Sequence, residues 1–395
     1  MSNVTVERGI LVVGAGLAGA VHARQLADAG IRVRVIDRRS HIAGNAFDEV
    51  GSHGVRVHKY GPHLFHTANR KVLDYIQRFA EWVPYTHRVK AVLPSGVLVP
   101  LPINLDTINI VFGTKLANEE EARRHLTSIA APIVRPANAA EYLASQIGLQ
   151  LRDLFFRPYT KKMWSLDLEE MNADVVKRLP LRFDRNDSYF ADTDTQVMPR
   201  DGYASFVASM LGHPLIEVSL NTSFDHAMLN DFDHCFASLA IDEFYGFCDG
   251  ELPYRSIRFH HRTEQLPSDS GLWKEQADAT FSVINFTDNG PFTRETSWAR
   301  LPHHIHERTG YTTITKEEPC DYRDNDYERY YPVKTADGVN EEIYTRYKRR
   351  SEADSNRITF IGRCGTYRYL DMDQVINQSL MGVQRWLAAR GVQSR

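Results

Sequence analysis

A strand, a glycine turn, a helix, a second strand and a terminal acid follow one another between Ile10 and Asp37. Ile10-Leu-Val-Val13 is the first apolar run, and Gly14-Ala-Gly16-Leu17-Ala-Gly19 is the turn. An apolar-periodic segment reaches Ala29, Gly30 breaks it, and Ile31–Ile36 ends in Asp37, 23 positions after Gly14. This order predicts a dinucleotide-binding βαβ unit. Gly14 permits the tight turn, Gly16 lets the backbone approach a pyrophosphate, and Gly19 removes a side chain where helix meets strand. The helix N-terminus, at Leu17, offers free N–H groups and a partial positive charge to phosphates. Asp37 is placed to accept hydrogen bonds from a ribose diol. Glycine turns alone are common; the agreement of all five parts gives the reading its weight.

With 395 residues the chain can bury two or three domain cores. A composition 43% hydrophobic and 25% charged is ordinary for a soluble protein, and a net charge of −3 argues against a nucleic-acid or anionic-membrane partner. The apolar runs are too short to span a bilayer, and about nine mostly polar residues precede the first strand, so neither a membrane segment nor a secretory signal is expected. Cys235, Cys248, Cys320 and Cys364 form no CxxC pair. They are expected to be reduced thiols of a cytoplasmic protein, not a disulfide frame or a zinc site.

Along the chain, Arg38-Arg39 and the small loop through Gly44-Asn45 could wrap the distal side of a dinucleotide. Lys71–Glu81 has helical spacing, and Trp82–Pro100 alternates like strands about a Pro94-Ser-Gly96 turn. Helices are predicted from Asn104, over 118–129 and over 137–146, with Ile147, Leu151, Leu154 and Phe155 on one continuing stripe. Asn172 is placed to cap a short helix ending at Lys177. Leu215–Leu220 and Cys235–Ala240 read as parallel strands. Ser256–His260, Thr280–Asn285 and Tyr311–Thr315 read as a separate antiparallel layer. Ile358–Ile361 and the helix Asp373–Leu387 return to the opening unit.

The fold class expected is α/β: a discontinuous Rossmann-like FAD- or NAD-binding domain with an inserted helical domain and an antiparallel β-sheet domain. The boundaries expected are 1–85 with 204–245 and 350–395 for the first, 100–182 for the second, and 86–99 with 183–203 and 246–349 for the third.

No nucleophile elbow, HExxH or P-loop is present. His303-His304-Ile305-His306 and His260-His261 lack a companion carboxylate or thiol cluster at ligand spacing, and read better as solvated edges than as a metal centre. Arg178, after a capped helix, and Arg294, after Gly290-Pro291, are better placed: together two guanidiniums suit a diphosphate. Tyr159, Trp164, Tyr189, Tyr331, Tyr367 and Tyr369 could stack on a base or donate to a phosphate or sugar. From the residues alone, the reading stops at an FAD- or NAD-binding enzyme acting on an anionic substrate.

The chain also resembles the bacterial UDP-galactopyranose mutases from its first strand to its last helix. The resemblance is carried by Val13–Gly19, His41-Ile-Ala-Gly-Asn-Ala46, His58-Lys-Tyr-Gly-Pro-His-Leu-Phe-His-Thr67 and Pro158-Tyr-Thr-Lys-Lys-Met-Trp164. It continues in Lys177-Arg-Leu-Pro-Leu-Arg-Phe183, Val283-Ile-Asn-Phe-Thr-Asp288, Tyr330-Tyr-Pro-Val333, Gly362-Arg363 and Tyr367–Val375. It implies an FAD domain, a helical domain and a six-stranded antiparallel sheet. It also implies interconversion of UDP-galactopyranose and UDP-galactofuranose through a reduced-flavin N5–sugar adduct, without net redox. An external reductant would supply the active, reduced FAD, and the family leaves room for a homodimer.

Carried over by motif, Arg178 and Arg294 would clamp the diphosphate, with Arg178 on a mobile loop. Phe156, Tyr159 and Trp164 would meet the uridine end, Asn285 would approach the nucleotide, and Tyr189, Tyr331 and Tyr369 would face phosphate or sugar. His63 and Arg363 would sit by the isoalloxazine, His63 counting with the two arginines as catalytic. Gly14, Gly16, Leu17, Gly19, Asp37, Arg38, Gly44, Asn45, Leu64, Tyr369, Asp371, Met372 and Val375 would complete the cofactor site.

The chain departs from the family pattern at Tyr189–Pro199, Ser165, Leu239-Ala240 and Phe292, which puts base and sugar recognition in question. The alternatives are a mutase for another nucleotide-linked hexopyranose, an FAD oxidoreductase of the amine-oxidase type, and a non-catalytic nucleotide-binding module.

Overall fold

Four consecutive buried residues make β1 (Ile10–Val13), the strand on which the first layer is built. The computed structural model describes residues 8–177, 180–265, 271–273, 280–305 and 310–392. Helix α1 (Leu17–Asp28) leads to β2 (Val33–Ile36), which lies parallel to β1 with Ile10 opposite Val33. A short hairpin, β3 (Asp48–Val50) and β4 (Arg56–His58), precedes β5 (Phe65–Thr67), α2 (Arg70–Ile76) and β6 (Trp82–Pro84). Then β7 (Val89–Val92) and β8 (Leu98–Leu101) pair antiparallel about the turn expected at 94–96.

The insertion begins with α3 (Leu105–Phe112), α4 (Glu119–Ile129) and α5 (Ala139–Leu151). Each starts after an asparagine, Asn104, Asn118 or Asn138, whose side chain accepts from the N–H three residues on. That local bond satisfies one of the donors a helix start leaves unpaired. The single stripe expected through Phe155 is interrupted. Gly148 leaves helical geometry at φ +74°, and Arg152–Phe156 is π-helical. The wider turn redirects the chain into α6 (Arg157–Trp164). Asn172 caps only a single 3₁₀ turn, Ala173–Val175.

The chain continues through β9 (Thr195–Pro199), α7 (Tyr203–Leu211), β10 (Ile216–Ser219), β11 (His234–Ala237) and α8 (Ile241–Phe244). The next strands are β12 (Tyr254–Gln265), β13 (Val283–Phe286), β14 (Arg294–Ser297), β15 (Tyr311–Asp321) and β16 (Tyr331–Pro332). It closes with α9 (Val339–Ala353), β17 (Ile358–Phe360), α10 (Gly362–Gly365) and α11 (Met372–Ala389).

Strands from three separate stretches form one parallel sheet in the order β10-β2-β1-β11-β17, the discontinuous Rossmann-like layer expected. Its core sits beneath α1, α7 and α11, where Val21, Phe206 and Ile376 meet Val12 and Val35. The second sheet differs from expectation in two respects. It has seven strands, β16-β12-β15-β14-β13-β7-β8, and it is mixed, because β13 runs parallel to β7. β9 joins β5 and β6 in a third sheet, so segment 183–203 gives the large sheet no strand. The reason is packing: Val197 enters the nucleotide-layer core and Met198 lies with Trp298 and Val55. β12 and β15 are also longer than their apolar starts suggested. Eleven register pairs, from Arg255 opposite Asp321 to Gln265 opposite Tyr311, carry their polar halves.

Candidate active site

A cavity of about 540 Å³ opens where α1 begins, β2 ends and the 362–375 return passes. Gly14 stands at its floor with φ +103°, and a Cβ there would lie 2.0 Å from Ser238 Oγ. A Cβ on Gly19 would lie 1.8 Å from the carbonyl oxygen of Gly14, so α1 could not pack where it does. Gly16 occupies the N-cap of α1 and supplies no side-chain acceptor, so the first N–H groups of the helix have no cap. Asp37 accepts from Ala15 N–H at 2.8 Å on one oxygen and from Arg39 N–H at 2.9 Å on the other. Each oxygen keeps a second lone pair for a hydroxyl. Leu17, Arg38, Gly44, Asn45, His63, Met372 and Val375 line the same space, and Arg39 beside them is held by Asn45 and Glu328. Bare helix N–H groups, a glycine floor and an acid for a diol fit a dinucleotide.

At one end of this cavity His63 Nδ1 donates to Gly61 O at 2.9 Å, while its backbone N–H donates to His58 Nδ1 at 3.0 Å. Burial, with Arg363 and Arg294 nearby, holds the His63 ring down to about 4. It is therefore neutral at pH 7 with Nε2 bare. Arg363 donates from Nε to Leu370 O, and its guanidinium lies 4.7 Å from the ring centre of Tyr369. Four cofactor candidates, Leu64, Tyr369, Asp371 and Gly19, stand outside the cavity lining. Leu64 packs with Val55, Met198, Trp298 and Leu301; Tyr369 stacks on Tyr331; Asp371 caps α11, its N–H donating to Gln374 Oε1. Gly19 likewise serves the α1 contact and not the lining.

Beyond His63, the large sheet presents a row of polar groups. Asn285 on β13 is opposite Arg294 on β14, and Arg294 is opposite Glu317 on β15, so all three share a face. Arg294 Nε donates to Glu317 Oε2 at 2.7 Å, and Glu317 is fully buried. Burial opposes charge on Arg294, but Glu317 holds its pKa well above the ordinary value. Asn285 Oδ1 is buried without a protein partner. Tyr331 and Tyr369 stack at 5.3 Å, and Trp164 meets Tyr331 edge-on at 5.9 Å. Burial pushes the phenols of Tyr159, Tyr189 and Tyr331 up, Tyr189 to about 12, with Arg294 pulling each the other way. At pH 7 these are neutral donors around a fixed cation, a set suited to phosphate oxygens. Phe156 ends the π-helical turn, half-buried. Arg178 lies outside the described residues.

Four participants were not singled out from the sequence: Glu317, Ser238, Lys162 and His87. His87 is buried with its ring 5.3 Å from Tyr189, and burial, then Arg294, drives it down to about 3. Glu317 lies beyond Tyr311–Thr315, where the strand signal in the sequence ends, so its inward position is visible only in the full length of β15. Tyr367 belongs elsewhere: its hydroxyl donates to Val333 O at 2.7 Å in the core. His304 is not a solvated edge either; it is buried with Nε2 3.0 Å from His58 Nε2, and His306 lies outside the described residues.

The profile of the UDP-galactopyranose mutase family matches residues 154–369, and that of the NAD(P)-binding Rossmann-like domain matches residues 12–79. A Klebsiella pneumoniae protein named probable UDP-galactopyranose mutase is 37% identical over 97% of this chain and 96% of its own length. The chain belongs to the UDP-galactopyranose mutase family. An Escherichia coli relative named dTDP-fucopyranose mutase is 36% identical over 96% of this chain and 98% of its own. Among solved structures, a reduced UDP-galactopyranose mutase superposes with a TM-score of 0.73 at 16% identity, covering 98% of this chain and 96% of the other. Putrescine oxidase gives 0.54 at 14% identity over 96% and 99%, so it shares the fold.

Against the UDP-galactopyranose mutase family pattern the departures fall in different places. Leu239 and Ala240 follow Ser238 along the dinucleotide cavity, which corrects the expectation that they bear on base or sugar. In Tyr189–Pro199, Asp192 pairs with Arg182 at 2.9 Å and Asp194 accepts from His66 Nδ1 at 2.7 Å. His66 in turn stacks on Phe190 at 3.7 Å, so Asp192, which the family shares, and Asp194, which it does not, hold the loop that carries Tyr189. Ser165 takes the left-handed conformation, φ +57°, that the family's glycine would adopt freely at the end of α6.

Proposed function

We propose that the protein is a flavin-dependent isomerase that interconverts the pyranose and furanose forms of a nucleotide-linked hexose, UDP-galactose first among them. The observation that carries this is the Asn285–Arg294–Glu317 row, ringed by phenols, beside a dinucleotide cavity and joined to it through His63 and Arg363. Arg294, anchored by Glu317 before substrate arrives, takes the charge that develops on a departing diphosphate without having to reorient. The family resemblance makes Arg178, outside the described residues, the candidate for the second half of the clamp. Tyr159, Tyr189, Tyr331 and Tyr369 donate to phosphate or sugar oxygens, and Phe156, Trp164 and Asn285 hold the nucleoside. FAD bound in its reduced form would supply the nucleophile, N5, for the anomeric carbon. Arg363 would favour the anionic reduced ring, and His63 Nε2 is open to accept a hydrogen bond from it at the end of the cavity. The parallel-sheet layer holds the cofactor, while the inserted helices and the large sheet hold the substrate. An external reductant is needed once and is not consumed per turnover.

An amine-oxidase-type oxidoreductase shares the cavity but leaves the Arg294 row without a task. The named activity of the E. coli relative favours a second substrate reading, a dTDP-linked 6-deoxyhexose. Dithionite-reduced protein incubated anaerobically with UDP-galactofuranose, and separately with dTDP-fucofuranose, tests both. Conversion to the pyranose without net flavin oxidation is the expected result. Failure to isomerise any nucleotide sugar overturns the proposal.

A further inference from the structure

Tyr159 and Trp164 both ride on α6, whereas Arg294 and Tyr331 ride on the large sheet. The spacing between these groups, which would define the slot for substrate, is set by the docking of that one helix, whose Trp164 meets Tyr331 edge-on at 5.9 Å. Two buried cations do the docking. Lys162 Nζ donates to Phe286 O at 3.0 Å and Phe292 O at 2.8 Å, the two sides of the β13–β14 hairpin, and lies 3.4 Å from Asp288 Oδ1. Its side chain is 9% exposed. From β12, Arg255 donates through Nε to Met163 O at 2.9 Å and through Nη2 to Lys162 O at 3.3 Å. These are last-turn carbonyls of α6, which a helix leaves without partners.

The attachment points lie beside the substrate groups. Phe286 follows Asn285, Phe292 is two residues before Arg294, and Arg255 stands opposite Tyr331 in the register of β12 and β16. Burying a cation is costly, and the cost shows: burial lowers the pKa of both Lys162 and Arg255. An apolar contact would hold a helix against a sheet but let it slide. Directional bonds to backbone carbonyls on both partners do not.

We infer that Lys162 and Arg255 are positioning residues that fix the width of the slot between α6 and the sheet, and through it the affinity for the nucleoside diphosphate half of the substrate. The inference rests on the reading that this slot takes a nucleoside diphosphate. UDP titrated into the oxidised holoprotein, followed by tryptophan fluorescence and calorimetry, tests it without turnover. Lys162→Met is expected to weaken UDP at least tenfold with flavin content unchanged, and Lys162→Arg to recover most of the loss. In a Trp164→Phe background the effect of Lys162→Met should shrink, because it acts through that ring. In turnover, KM should rise more than kcat falls. If Lys162→Met does not fold, Arg255→Lys, which keeps the charge and loses the fork, carries the same expectation. A lowered melting temperature with UDP affinity within twofold of the unaltered protein overturns the inference. Absence of UDP and dTDP binding to the unaltered protein overturns the functional reading, and this inference with it.

Discussion

Arg294 keeps its charge where burial opposes it, because a fully buried carboxylate on the next strand leaves it a partner at 2.7 Å. Its Nε is committed to Glu317, which turns the two terminal nitrogens into a fork of fixed direction. Arg294→Ala is therefore expected to cost about 10- to 100-fold in UDP affinity, the worth of a charge-assisted contact, and to reduce turnover further still. Arg294→Lys should recover little, since an ammonium cannot bond Glu317 and present a planar fork at once. Flavin absorbance per protein, measured beside UDP affinity and isomerisation rate, checks this; flavin content should not change. Retention of most activity in Arg294→Ala would show that the clamp lies elsewhere. The arginine was legible from the sequence because a guanidinium after a Gly-Pro turn invites a ligand. Its anchor was not, since the pair is set by strand register across 23 residues. His87 and Ser238 were missed for the same reason: each reaches the site through a neighbour far away in sequence.

At the level of elements, what could be read was what is enforced locally. The glycine turn of the βαβ unit, the starts of α3, α4 and α5 and the β7–β8 turn each depend on residues a few positions apart, and all form. What could not be read was pairing, β13 beside β7 in parallel and β9 between β5 and β6, and with it the π-helical turn that leads from α5 into α6. Rings mislead in the same way, as Tyr367 shows, because core and ligand contacts ask the same chemistry of a phenol. The glycine turn is the element whose tolerance is least. Gly14→Ala places a methyl 2.0 Å from Ser238 Oγ at φ +103°, and strain of about 1–3 kcal/mol predicts roughly 5- to 150-fold weaker flavin binding. Substoichiometric flavin in the purified variant, measured by absorbance and by titration of the apoprotein, is the expected outcome. Adding Ser238→Ala should restore part of it by removing the contact atom. Full flavin occupancy in Gly14→Ala would mean that the turn relaxes at little cost.

The whole molecule buries several histidines as neutral rings, and this gives its stability a pH dependence that the net charge of −3 would not suggest. His22 lies between α1 and α11, its Nδ1 donating to Ala18 O, and burial holds it down to about 4. His234 on β11 is bonded to Asn356 O and Thr359 Oγ1, and burial holds it down to about 4 as well. Both are remote from the Arg294 row, so ligand has no direct hold on them. The unfolded chain takes up protons on these rings near pH 6.5, while the folded protein refuses them until about pH 4. Between those values the unfolded state binds more protons, so stability falls as the pH drops through 6.5 and ceases to fall below about 4. Each ring contributes about 1.4 kcal/mol per pH unit in that window, so the two together remove about 4 kcal/mol by pH 5. For a chain this long, that is roughly 5 °C in melting temperature. Thermal unfolding of the holoprotein at half-unit steps from pH 7.5 to 4.5 should show the decline beginning below pH 7. His234→Gln keeps a donor and an acceptor but cannot titrate, and should remove about half of this part of the slope. An unchanged slope in that variant would remove His234 from the account and leave the acid sensitivity to His22, His58, His63 and His87, of which bound UDP should shift only the part due to His63 and His87.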